Sequence, residues 1–395
     1  MPELFDVAVI GGGPSGCLVA SALASGGRRV VVLERRRADA VEPCCTGIVG
    51  RPYLDCIQPC EDLVLAAARS AVFISPSGRR LHVAASVDQA FVLDRALLER
   101  RLRQRAAAAG AEMVEGVLVT RTSVSTDLCE TRVSGPDGAR TYSSRALVIA
   151  GGVNPGLLRR AGLLPPSKHM VGAHAEVEMD GVDETEVYFL SDVAPGAFAW
   201  LVPMAPGRVR LGVLSASSVA QVAATFLARP GVRDRLRRRP LHIAQRPVPV
   251  AVSRRMHGER VRSVGDAAGQ VKPTTGGGLY LGAMAAVAAA AVLSEALARD
   301  DLSARALSRY ETQWRSAFGG ELRRGALARA IYSRLSVGHV DGVIELAART
   351  GVAEKLLRSP SFSFDRHSGT LLSGLLRCLP GALLRPAGRQ SEADS

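Results

Sequence analysis

The chain has 395 residues, 47% of them hydrophobic and 22% charged, with a formal net charge of +13. At about 150 residues per domain this makes two or three structural units with sizeable cores, and it excludes a disordered or collagen-like chain. Aromatic residues are only 4% and no basic base-reading helix accompanies the charge, so no nucleic-acid partner is expected.

Of the basic residues only Lys168, Lys272 and Lys355 are lysines. An arginine bias that strong reads first as a habit of composition and second as attraction to anionic surfaces such as a membrane. The odd number of cysteines in a large chain argues against a secreted disulfide framework, and their spacing fits no metal site. No signal-peptide pattern is visible at the N-terminus. The longest apolar run, 282–293, is about 12 residues against the ~20 that a spanning helix needs. The expectation is a cytoplasmic monomer, peripheral at most on the cytoplasmic face of a membrane.

In chain order, an apolar strand over 5–10 leads into Gly11-Gly12-Gly13-Pro14-Ser15-Gly16, then a helix, then a second strand ending at Glu34. In such a unit Gly11 permits the tight turn, Gly13 lets the backbone approach a pyrophosphate, and Gly16 lets helix and strand pack closely. The helix N-terminus offers free N–H groups to phosphates, and Glu34 sits where a carboxylate holds ribose hydroxyls. Residues 71–93 read as strands around a Pro76-Ser77-Gly78 turn, and 94–110 as a helix. A hairpin turns at 136–138, and ALVIA at 146–150 is a further strand. Residues 166–255 read as a mostly antiparallel sheet with a helix near 217–238. From 303 onward the pattern is helical, and the last residues are expected to be disordered.

A second signature lies at 264–279. An apolar strand ends in Gly265-Asp266, and Gly276-Gly277-Gly278 opens a helix at Leu279. A carboxylate at that point suits a ribityl hydroxyl. The helix dipole suits negative charge on a reduced isoalloxazine. Two dinucleotide elements far apart in one chain point to FAD rather than to a nicotinamide cofactor alone.

These segments resemble the geranylgeranyl reductase family, FAD-dependent prenyl reductases with the fold of para-hydroxybenzoate hydroxylase. Beside the two glycine motifs, Pro43-Cys44-Cys45-Thr46-Gly47 is similar to the family's Cys-x-Gly segment. Pro195-Gly-Ala-Phe198-Ala-Trp200-Leu-Val202-Pro203 is similar to its P-x-x-Y-x-W-x-F-P motif. The chain departs from the family at Phe198 for Tyr, Val202 for Phe and Gly277 for Glu, and Gly151 stands where hydroxylases of this fold carry Asp.

The resemblance implies an α/β (α+β) architecture: a Rossmann-like three-layer FAD domain (1–70, 91–165 and 256–300), an antiparallel substrate domain (71–90 and 166–255) and a C-terminal helical region (301–395). It implies cofactor contacts from Gly11, Gly13, Pro14, Ser15, Gly16, Glu34, Arg35, Cys45, Arg95, Val117, Gly265, Asp266, Gly276, Gly277, Gly278 and Leu279. Cys45, Gly47, Phe198 and Trp200 would stand at the reacting end. Vicinal Cys44 is a rival to Cys45. The implied activity is saturation of isoprenoid carbon–carbon double bonds on a lipid, quinone or diphosphate, with NADPH or a ferredoxin-like donor as reductant. The alternatives are a flavin monooxygenase of the same fold and a non-catalytic flavin- or lipid-binding protein. At 371–379 leucines line one helical face, which either packs on the fold or dips into a membrane.

Overall fold

The computed structural model describes residues 4–37, 45–240, 242–359 and 362–383. Cys44 and the C-terminal residues expected to be disordered lie outside them. The chain forms two compact units, one of residues 1–64, 93–170 and 247–322, the other of 65–92, 171–246 and 323–395. Residues 301–395 are divided between the two units. Helix Ala304–Tyr332 contributes its first part to one unit and its last part to the other.

The first unit is built on a seven-stranded sheet. Strand Leu4–Ile10 lies at its centre, parallel to Val30–Glu34 on one side and to Gly138–Ile149 on the other. Glu112–Glu115 extends the sheet beyond Val30–Glu34, and Val261–Ser263 pairs parallel with Gly138–Ile149. Residues 7–10, 30–34 and 146–149 at the centre of the sheet are buried, which is why these stretches read as apolar runs rather than as alternating ones. Cys129–Gly135 and Leu118–Val124 complete the sheet, pairing antiparallel in turn beyond Gly138–Ile149, and Val119, Val124, Cys129 and Val133 share a core cluster with Ala8, Ile10, Val31, Leu33 and Ile149. Helix Pro14–Ser25 packs against helices Arg95–Ala108 and Leu279–Ala298.

Helix Leu279–Ala298 is longer than the apolar run suggested, 20 residues rather than about 12, because it continues through Ser294 and Glu295 to Ala298. By length and composition it could cross a membrane, but 61% of its most apolar window is buried inside the fold. Its alanines let it lie close to the glycine-turn helix.

Segment 253–257 is tied to helix Ala304–Tyr332 by Glu311. One carboxylate oxygen accepts from the Met256 N–H (2.9 Å) and pairs with His257 Nδ1 (2.9 Å). The other accepts from Arg315 Nε (2.7 Å), whose guanidinium also donates to the Ser253 carbonyl. Burial alone would raise the Glu311 carboxyl, but His257, the Met256 amide and Arg315 outweigh it and hold the group at about 2, below its usual 4.5. A carboxyl depressed on folding stabilises the fold above its unfolded value and loses that contribution as pH falls through the folded one. Wild type should therefore shed about 2 kcal/mol between about pH 5 and pH 2 through this group. Urea unfolding across that range should show the loss in wild type and its absence in Glu311→Gln.

The second unit holds another seven-stranded sheet, ordered Ala244–Pro249, His169–Glu178, Arg208–Ser215, Phe198–Ala205, Thr185–Phe189, Ser70–Ile74 and Arg80–Ala84. It is not wholly antiparallel, because Thr185–Phe189 runs parallel to Ser70–Ile74. The two strands come from distant parts of the chain, so no hairpin dictates their direction. Ala173, Ala175, Ala199, Leu201, Leu211 and Val213 alternate onto one face and bury helix Val219–Ala228 through Val222 and Phe226. Helix Val337–Thr350 packs with helix Ser368–Leu383 and against strand Arg80–Ala84.

Candidate functional site

The glycine turn follows from sterics. Gly11 takes φ +107°, and a Cβ there would stand 2.5 Å from the Ala150 carbonyl oxygen. At Gly16 a Cβ would collide with the Gly11 carbonyl oxygen, so only glycine lets the helix start this close to the strand. At Gly13 there is nothing within 4 Å of where a Cβ would be. That glycine leaves room rather than relieving a clash. Pro14 occupies the first helical turn with φ already suited to it. The buried Glu34 carboxylate accepts from the Gly12 N–H (2.6 Å) and the Arg36 N–H (2.8 Å), binding the turn to the end of the second strand. Arg35 follows it on the surface. Val117 is buried and its N–H donates to the Glu34 carbonyl.

The second glycine motif meets the first through Ser15. A Cβ at Gly265 would stand 2.7 Å from Ser15 Oγ, and one at Gly282 would stand 2.5 Å from it. Gly265 is held by Gln270, whose Oε1 accepts the Gly265 N–H (2.7 Å) while its amide nitrogen donates to the Tyr310 hydroxyl (2.6 Å). Tyr310 in turn donates to the Ser263 carbonyl. Asp266 lies against the start of the following helix: a Cβ at Gly278 would be 2.8 Å from its Oδ1. A side chain at Gly277 would meet the Lys272 stem, with Cε 2.9 Å away, so here the buried lysine uses the space that a glutamate would need.

Cys45 and Gly47 belong to the same unit. The Gly47 N–H points to Cys45 Sγ (3.4 Å), and the Gly47 carbonyl accepts from the Leu93 N–H. Cys45 is half-buried. Burial pushes the thiols of Cys17 and Cys129 up to about 12, so both stay protonated.

Three observations fit a bound dinucleotide. Neither helix Pro14–Ser25 nor helix Leu279–Ala298 has a side-chain cap, so their first N–H groups stay available to an anion. The space over Gly13 is open. Arg95 is buried at the start of helix Arg95–Ala108 and gives Nη2 to Glu99 (2.7 Å), while its Nε and Nη1 have no partner. Buried guanidinium donors without partners are costly, and a phosphate would satisfy them. Among the described residues no group of His, Cys, Asp and Glu side chains could hold a metal ion.

In the second unit Phe198 and Trp200 share one face of their strand, ring centroids 5.4 Å apart. The Trp200 indole packs over Gly212 on the neighbouring strand, where a Cβ would stand only 2.1 Å from its Cζ2. The turn before Phe198 is gripped by the end of helix Ala304–Tyr332. Arg329 donates to the Gly196 carbonyl (2.7 Å) and stands over the Phe198 ring (5.6 Å), and Tyr332 donates to the Ala197 carbonyl (2.5 Å).

A family model for the FAD binding domain matches residues 5–322. Digeranylgeranylglycerophospholipid reductase 2 of Methanopyrus kandleri is 32% identical over 372 residues, covering 88% of this chain and 91% of the relative. The chain belongs to the geranylgeranyl reductase family. Among solved structures, a geranylgeranyl bacteriochlorophyll reductase-like protein from Thermoplasma acidophilum superposes with TM-score 0.84 at 20% identity, covering 97% of this chain and 98% of that one. The p-nitrophenol 4-monooxygenase PnpA of Pseudomonas putida reaches TM-score 0.68 at 18% identity, over 96% and 98% of the two chains. These likenesses establish the fold. Membership of the family makes the chain an FAD-dependent oxidoreductase. Gly151 is exposed, and a Cβ there would stand 3.2 Å from Leu157 Cδ2, the end of a flexible side chain.

Ser15 reads as a cofactor contact in the sequence and also spaces the two motifs, whereas Gln270, Tyr310 and Gly212 are not legible there. Each acts through a partner on another segment, and no local pattern announces it.

Proposed function

We propose that this enzyme saturates carbon–carbon double bonds in the geranylgeranyl chains of a phospholipid. The observation that carries the proposal is the likeness to a digeranylgeranylglycerophospholipid reductase, which runs through both units of the chain. Bound FAD, once reduced, would supply hydride to one carbon of the double bond while a proton from water reaches the other, with electrons from NADPH or a ferredoxin-like donor. Gly11 to Gly16 and the N-terminus of helix Pro14–Ser25 hold the pyrophosphate, together with the free donors of Arg95. Asp266 holds a ribityl hydroxyl. The uncapped N-terminus at Gly278 and Leu279 would offer its positive dipole end to the isoalloxazine. Phe198 and Trp200 offer an apolar wall to the chain and exclude water from it. Cells expressing the protein should accumulate phospholipids that have gained two hydrogens for each bond reduced, and mass spectrometry of their lipids tests this.

In this reading the Cys45–Gly47 loop lies beside the reacting atoms. A thiol is too weak an acid to protonate an isolated alkene directly, so Cys45 acts by positioning. Cys45→Ser should keep its FAD and lose about tenfold in turnover or stop at fewer reduced bonds, and Cys44→Ser should change less. Equal product profiles for wild type and both variants would make the loop cysteines packing residues.

The substrate is lipid-borne, and we place the enzyme, as a monomer, on the cytoplasmic face of the membrane. Helix Ser368–Leu383 turns Leu372 and Cys378 inward but leaves Leu371 and Leu376 exposed, by 41% and 50%, with Arg377 exposed beside them. That divides the leucine face between packing and surface. Exposed leucines beside an arginine suit shallow, reversible contact with anionic lipid. The protein should float with anionic vesicles at low salt and be released by high salt, and truncation before Thr370 should weaken flotation. Indifference to anionic vesicles at low salt would contradict this placement.

A further inference from the structure

Gln270 holds both backbone polar groups of Gly265. Its side-chain Oε1 accepts the Gly265 N–H (2.7 Å), and its own backbone N–H donates to the Gly265 carbonyl (3.1 Å). Residues 265–270 are thereby closed into a loop that carries Asp266. Glycine has the widest backbone freedom of any residue, and Gly265 takes φ +67°. The aim of Asp266 therefore depends on what fixes the glycine before it. The same glycine lies against the first motif, since a Cβ there would stand 2.7 Å from Ser15 Oγ. Whatever fixes Gly265 also sets the spacing between the phosphate turn and Asp266.

The direction of every hydrogen bond around the Gln270 side chain is settled by its neighbours. Oε1 takes an amide proton, so the amide nitrogen faces the other way. That nitrogen donates to the Tyr310 hydroxyl (2.6 Å) and lies 3.4 Å from Met256 Sδ. The hydroxyl, already accepting, gives its own proton to the Ser263 carbonyl (3.1 Å). Arg262 stands over the Tyr310 ring (5.5 Å) and gives Nη1 to the Ala289 carbonyl (2.7 Å), which holds the ring from the side. Gln270, Tyr310, Arg262 and Ser263 are all fully buried. Burial pushes the Tyr310 hydroxyl above its usual value, so it keeps its proton. A side chain that accepts at one end and donates at the other completes this path. A leucine would fill the space and leave the Gly265 N–H and the Tyr310 hydroxyl each short of a partner, which is costly in a buried site.

We propose that Gln270 is a positioning residue for the flavin: with Tyr310 it locks Gly265, and so sets the aim of Asp266 and the spacing of the two cofactor motifs. The proposal rests on the reading of Asp266 as a ribityl ligand and goes beyond it by naming what holds that ligand in place. Its consequence is read on bound FAD, apart from turnover.

The test is the rate of FAD release from holoenzyme, followed by flavin fluorescence near pH 5 and near pH 8. Gln270→Glu is the informative variant. A protonated carboxyl repeats the pattern of the amide, with its carbonyl oxygen on Gly265 and its O–H on Tyr310. An ionised carboxylate has no proton to give Tyr310 and places a negative charge in the buried loop. Burial raises such a carboxyl, so it passes from the first form to the second between about pH 5 and pH 8. Relative to wild type at the same pH, Gln270→Glu should release FAD equally fast near pH 5 and about tenfold faster near pH 8. Tyr310→Phe should speed release about fivefold at both, as for one lost hydrogen bond. Adding it to Gln270→Leu should cause no further loss, because the two residues act as one unit.

Should Gln270→Leu fail to fold, Gln270→Glu still decides, because its two forms are compared within one protein. A Gln270→Glu ratio that is the same at both pH values, or losses from Gln270→Leu and Tyr310→Phe that add, would overturn the proposal. Asp266→Ala tests the underlying reading separately. Release at the wild-type rate there would remove Asp266 from the ribityl chain. Faster release there, with a flat Gln270→Glu ratio, would strike the positioning role alone.

Discussion

Gly16→Ala is expected to prevent folded holoenzyme from accumulating, whereas Gly13→Val is expected to fold and to emerge without FAD. The two glycines stand three residues apart in one turn, but their surroundings differ. The added methyl at 16 runs into the Gly11 carbonyl oxygen, which is backbone and cannot rotate away. The helix must then lift from the strand, at a cost of about 3 kcal/mol, a large share of the ~5–15 kcal/mol that stabilises a typical domain. At Gly13 the backbone is extended (φ −75°, ψ 179°), which valine adopts readily, and the site is open. A valine there occupies the approach of the pyrophosphate and should weaken FAD binding by about a hundredfold. Soluble yield, thermal melting and flavin absorbance of the purified variants check both outcomes. A yellow Gly13→Val protein of wild-type affinity would remove the phosphate from this turn.

Gly212→Ala should leave FAD content intact and lower kcat/KM by about a hundredfold. The new methyl falls where the Trp200 indole now lies, so the ring must swing off the strand and the wall it shares with Phe198 opens. A displacement of about 1 Å at a positioning group is enough for an effect of that size. The chain has only two tryptophans, and the other, Trp314, is 2% exposed in the first unit. A shift in fluorescence would therefore report Trp200. Wild-type emission with wild-type turnover would show that the indole is not a wall of the site.

How much of this was legible in the sequence depends on how far apart the partners stand. The glycine turn, Glu34 and the Gly265–Leu279 segment are local patterns whose sterics can be read residue by residue, and the structure gives Gly11, Gly13 and Gly16 three distinct environments. The family motif at 195–203 pointed to Phe198 and Trp200 sharing a face, because strand periodicity is two. It could not point to Gly212, since a glycine within a strand acquires meaning only from the indole placed over it. Gln270 is likewise silent until the fold brings Tyr310, forty residues on, to its amide. The parallel pairing of Thr185–Phe189 with Ser70–Ile74 also joins segments that no turn connects. The long helix at 279–298 shows the converse. Its composition alone would suit a membrane, and only its packing on the glycine-turn helix makes it a core element.

The central claim is that reduced enzyme transfers hydride to a prenyl double bond. Its most direct test is a single-turnover experiment under strict exclusion of oxygen: holoenzyme reduced with one equivalent of dithionite, then mixed with geranylgeranyl phosphate. The account predicts that the flavin spectrum returns to its oxidised form as the product gains two hydrogens. Flavin that stays reduced until air is admitted, and then yields a product carrying an oxygen atom, would contradict it.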